Sequence, residues 1–206
     1  MKKIILAVTL ALLTASTIGC GGSSLGETGI SHYSDLPSQE LTDAWYVFNK
    51  GNPYSSKTKF EQVLRMNVTD VQKSSAYAGI AFAVAKQNGI LESYPYFEKA
   101  LELDSSNRDA KVGMAGYYLS LADKTFFSKG ISYLESMGVN STSKVFIPDN
   151  NAELTDMSVH ALLGLLYYYN GNYNDGIVLL KYAKYINEPD PEVDIKQVTD
   201  AFLSGF

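Results

Sequence analysis

Cys20, His32 and His160 are the only thiol and the only imidazoles in this chain of 206 residues. A zinc site needs several convergent ligands of these types, and two distant histidines with one cysteine do not supply them. Ser56 and Lys59 have the spacing of a serine nucleophile with a lysine base, but the companion motifs of such hydrolases are missing. Asp190, Glu192 and Asp194 alternate like the opening of a calcium loop. Ile195 stands where that loop needs glycine and Ala201 where it needs a closing glutamate, so Asp190 and Pro191 read instead as a helix N-cap and first turn. The sequence has no nucleophile elbow and no phosphate-cradling glycine loop. The expectation is a non-enzymatic protein with no catalytic residue, no cofactor and no metal.

The surroundings of Cys20 give it a different task. Lys2 and Lys3 precede an uncharged run from Ile4 to Leu13, the pattern of a secretory signal peptide. That run is shorter than the roughly 20 apolar residues of a transmembrane helix. Residues 17–20, "TIGC", resemble the lipobox of bacterial lipoproteins, with Thr17 where Leu or Val is usual. The resemblance implies that residues 1–19 are removed and that Cys20 is acylated as the new N-terminus. Two or three acyl chains give lasting attachment where one is marginal. Residues 20–37, rich in Gly and Ser, read as a flexible tether. Gly21 after the cysteine, where inner-membrane retention would favour Asp, implies by the same resemblance an outer-membrane anchor facing the periplasm.

Loss of Lys2 and Lys3 takes the formal charge from −5 to −7. Such a balance disfavours nucleic acid as a partner and adhesion to anionic lipid by charge. Residues 38–206 are enough for one domain with its own core.

The elements of that domain repeat. Tyr77, Ile80, Ala81 and Val84 are followed by Ser93, Phe97 and Ala100; His160, Leu163, Gly164 and Tyr167 are followed by Gly176, Leu180 and Ala183. Ala81 to Ala100 and Gly164 to Ala183 are both 19 residues, and Ala115 falls 34 after Ala81. This spacing resembles the tetratricopeptide repeat. The resemblance implies an all-α solenoid of about four helical hairpins, at about 38–70, 74–107, 108–150 and 157–190, closed by a capping helix at 191–206. The third hairpin has its second helix at roughly Phe126 to Met137. From Ala115 to Gly164 is 49 residues, 15 beyond the period, and the excess falls mainly at residues 138–151. A loop of that length is either functional or loose. Pro53 is read as an added residue in the turn of the first hairpin, and His160 as a packing ring.

In the family, first helices line a concave face that grips a peptide or partner helix. Carried over, that face would show Trp45, Phe48, Phe82, Lys86, Val112, Leu119, Leu165, Tyr168 and Tyr169. Trp45 and Phe48 could equally be core. Tyr167, Tyr168 and Tyr169 are adjacent on one helix and cannot all face one core, so at least one should reach solvent or a partner. The leading functional expectation is a membrane-anchored adaptor for a segment of another envelope protein, as in assembly, pilus, secretin or export complexes. The alternative is a lipid-anchored binder of a small ligand or glycan, with Tyr168, Tyr169 and the inserted loop forming the pocket. Oligomeric state is left open.

Overall fold

A computed structural model describes residues 36–140, 142, 144–185 and 195–204. The expected signal peptide, Cys20 and most of the tether therefore lie outside the described residues, as do Asp190 and Pro191. Among the described residues the protein is all-helical. In chain order the helices are α1 (Leu36–Asn49), α2 (Pro53–Val63), α3 (Asp70–Asn88), α4 (Tyr94–Leu103), α5 (Arg108–Ser120), α6 (Lys124–Glu135), α7 (Asp156–Asn170), α8 (Tyr173–Tyr182) and α9 (Ile195–Leu203), with one 3-10 turn at Ile90–Ser93.

The helix boundaries have local chemical causes. Thr69 and Gln72 form a reciprocal capping box at the start of α3: the Gln72 backbone N–H donates to Thr69 Oγ1 at 3.2 Å, and the Thr69 N–H donates to Gln72 Oε1 at 2.9 Å. Asn107 caps α5 through Ala110 N at 2.9 Å, and Thr155 caps α7 through Ser158 N at 3.1 Å. Gly171 ends α7 at φ 100°, a left-handed conformation that costs glycine little. Two expectations shift. Pro53 is the first residue of α2 behind the Asn52 cap, where its missing N–H costs no hydrogen bond. Helix α1 begins at Leu36, inside the stretch read as tether.

Each helix from α1 to α7 packs on its successor, and α1 on α3, α3 on α5 and α5 on α7 also lie against one another. The small residues sit at the seams: Ala81, Ala100 and Ala115 are fully buried and Ala183 nearly so. At Gly164 the close approach is direct, since a Cβ there would come within 2.9 Å of the Gly176 carbonyl oxygen. Rings pack between α1 and α2 and between α3 and α4. Trp45 meets Phe60 edge-on at 5.0 Å between centroids, and Phe82 meets Phe97 at 4.9 Å.

Residues 159–167 of α7 are all buried, because α5, α6, α8 and α9 cover its sides. Buried His160 packs edge-on against Tyr182 as the expected ring. Helix α9 lies on α7 with Thr199 and Phe202 buried and Lys196, Asp200 and Ser204 exposed.

Candidate functional site

The 15-residue excess between α6 and α7 is a built feature. Its second part, residues 145–155, forms a strap that reaches back to α1, α3 and α5. The centre of the attachment is Asp109, in the first turn of α5 and fully buried. Asp109 Oδ1 accepts the backbone N–H of Asp149 at 3.0 Å; Oδ2 accepts those of Asn150 at 2.8 Å and Asn151 at 3.1 Å. In return the Arg108 backbone N–H donates to the Asp149 side chain at 2.7 Å.

Helices α1 and α3 hold the same segment. Asn49, the last residue of α1, accepts the Ala152 N–H at 3.1 Å on Oδ1 and donates from Nδ2 to the Asn150 carbonyl at 3.3 Å. Asn150 Nδ2 donates to Ser75 Oγ of α3 at 3.1 Å, and the same hydroxyl accepts the Trp45 indole N–H at 3.0 Å. Lys86 pairs with Glu153 at 3.0 Å. At either end a buried apolar side chain, Phe146 or Leu154, fixes the strap to the core, and the Arg108 guanidinium lies over the Phe146 ring at 4.8 Å.

Burial pushes the Asp109 carboxyl up to about 6, against the opposing pull of the N–H groups of Asn150 and Asn151, with the nearby Asp149 charge adding to the rise. Close to neutral pH the group is ionised, the form that accepts three N–H bonds best.

The strap changes the reading of the expected concave face. Trp45, Phe48, Phe82, Val112, Leu119 and Leu165 are 3% exposed or less, so these side chains meet the protein's own interior and not an open groove. The sequence places apolar residues on these faces; it does not say what covers them. Phe82, Lys86 and Val112 still converge, at a cavity of about 210 Å³ whose other walls include Asn151, Leu154 and Phe202. Leu119 and Tyr169 share a second cavity of about 350 Å³ with Phe127 and Thr199, where the Tyr169 hydroxyl is 3.0 Å from Thr199 Oγ1. Tyr168 is half-buried, edge-on to Tyr173 at 5.1 Å, while Tyr167 turns inward and donates to Glu135 at 2.6 Å.

Asp109 was not among the residues picked out by the sequence. Its position two residues past an Asn cap marks it only as a favourable charge at a helix N-terminus. A third cleft, also unforeseen, lies along α5 and α6, where Tyr118 stacks near-parallel on Tyr133 at 6.2 Å beside Lys111, Lys129, Ser132 and Ser136. Among the described residues no group of three His, Cys, Asp or Glu is placed to hold a metal ion, and no helix is long and apolar enough to cross a membrane. Comparison with protein-family models, with characterised proteins and with solved structures gave no match.

Proposed function

We propose that this chain is a lipid-anchored, periplasm-facing adaptor of the tetratricopeptide type, a solenoid of about four helical hairpins that holds a segment of another envelope protein. The observation that carries the reading is the strap: a stretch of non-helical, bent backbone lies across α1, α3 and α5, gripped by Asn49, Ser75 and Asp109. A face that holds one non-helical segment through its main chain is suited to hold another. The packing of α1 on α3, α3 on α5 and α5 on α7 supports the repeat architecture, with first helices side by side. The lipid anchor rests on Cys20 and its flanks.

Photo-crosslinking in cells tests the adaptor, with probes at Tyr168 and Glu153 and a control at Glu102 on α4. A discrete protein adduct from either probe and none from the control supports it; no adduct from a folded, membrane-bound protein counts against it. Cys20→Ser should release the protein from membranes, and continued attachment would remove lipidation as the cause.

A second reading, a binder of a small ligand or glycan, draws on the Tyr118 and Tyr133 cleft with its lysines and serines. Ligand-dependent rises in melting temperature that Tyr133→Ala abolishes would favour it.

A further inference from the structure

We infer that residues 145–154 are an intramolecular ligand: in the free protein they occupy the face across α1, α3 and α5 on which a partner docks, and that partner is a segment that bends as residues 149–152 do and presents three successive backbone N–H groups to Asp109. For the identity of the site's use, this rests on the adaptor reading above.

The contacts themselves describe the recognition. Four consecutive residues, 149–152, give up all four backbone N–H groups and one carbonyl to just two side chains, Asp109 of α5 and Asn49 of α1. Main-chain groups are common to every sequence except at proline, so this grip selects a bent backbone that turns three successive N–H groups to one side, and leaves the choice of side chains open. The side-chain contacts add little discrimination. Lys86 and Glu153 form a partly exposed ion pair, of a kind that contributes little. In the middle of the strap the surrounding helices read two side chains, the Asn150 amide on Ser75 and the Asp149 carboxylate on the Arg108 N–H.

Asp109 also dictates how the strap leaves. A fully buried carboxylate stripped of three hydrogen bonds is strongly disfavoured, so the strap is not simply shed into solvent. A competing segment that brings its own N–H groups removes that obstacle. The face therefore works by exchange: the resident segment keeps the carboxylate satisfied until another donor set replaces it. The chain connection favours the strap by raising its effective concentration, which sets a threshold that a partner must exceed.

The test uses a labelled synthetic peptide of residues 145–154 and the full chain with Asp149, Asn150 and Asn151 each replaced by proline, which removes the three N–H donors and keeps Phe146, Leu154 and Asp109. Fluorescence anisotropy should show the peptide binding this variant at least tenfold more tightly than the wild-type chain. Adding Asp109→Asn to the variant should weaken binding at least tenfold. Equal affinity for the two chains, or no effect of Asp109→Asn, overturns the inference.

Should the replaced chain fail to fold, amide hydrogen exchange on the wild-type protein decides. Exchange of the amides of Asp149, Asn150 and Asn151 through an opening separate from that of α3 and α5 supports a displaceable ligand. Exchange only together with those helices makes the strap a fixed part of the core and overturns it, while leaving the adaptor reading to the crosslinking test. Peptide binding without any cellular adduct has the opposite meaning: the internal ligand stands and the adaptor reading falls.

Discussion

The ring of Phe60 rests on the bare α-carbon of Gly79: a Cβ at that glycine would come within 2.2 Å of the ring's Cζ. Phe97 rests on Gly113 in the same way, also at 2.2 Å, and Gly113 follows Gly79 by 34 residues. In each pair a ring from a second helix enters the groove of the next first helix. Both rings are fully buried and wedged against other aromatics, so neither has room to withdraw.

Gly79→Ala and Gly113→Ala should therefore each destabilise the protein. Alanine gains up to about 1 kcal/mol of helix propensity, but overpacking at such a contact costs typically 1–3 kcal/mol or more. The net sign is unfavourable. Chemical denaturation measures it, and unchanged midpoints would mean that the rings do not lie on these glycines.

The pH dependence of stability should carry the mark of Asp109. Its carboxyl titrates near 6 in the folded chain, above the ordinary value of 3.8, so the folded state binds the proton more tightly. Its contribution is fullest below about pH 4, falls as pH rises towards 6, and is level above that. The displacement corresponds to roughly 3 kcal/mol. Asparagine does not titrate, so subtracting the unfolding free energies of Asp109→Asn across pH 4 to 7 isolates this group. A flat difference would place Asp109 in contact with water.

Ser74 and Asn107 should behave as one unit. Ser74 donates to the Ala100 carbonyl at 2.8 Å and accepts from the Asn107 amide at 2.9 Å, while Asn107 also caps α5. All of this is buried between α3, α4 and α5. Asn107→Ala alone should cost about 1–2 kcal/mol. In a double-mutant cycle with Ser74→Ala the two losses should fall short of additivity by at least about 0.5 kcal/mol.

Tyr167→Phe should cost roughly 1.5–3 kcal/mol, the range for a hydrogen bond to a charged group. Burial and the bond to Glu135 both push the phenol's ionisation far above its ordinary range. Ultraviolet titration should accordingly lose one late-ionising tyrosine in the variant. If that step remains, another phenol is responsible.

The helices were readable because packing leaves a periodic trace. Small residues at Ala81, Ala100, Ala115 and Gly164 must recur wherever helices approach closely, and all four are at seams or close approaches. The strap left no such trace. Asp109 meets backbone groups about 40 residues further on, and an N–H has no letter in a sequence. Residues 148–153, "PDNNAE", have the composition of any polar loop. Hence Phe82 and Val112 looked like groove residues, since an apolar side chain under a cover and one lining an open cleft are written alike. The excess of 15 residues was the one visible sign, and it could not say where the loop went.

Contacts between neighbouring helices join residues close in sequence, and an array built from those alone unfolds piecemeal from its ends. The hydrogen bonds of Asn49 to Asn150 and Ala152 span 101 and 103 residues. They fasten the first helix to the segment just ahead of α7, turning an open row into a ring of dependencies. Fraying at α1 must then break contacts near the far half, so the two halves melt together. The same closure is slow to form, because a loop of that length has to close before these bonds can be made. The strap should be a late arrival in folding and a strong source of cooperativity once it is in place.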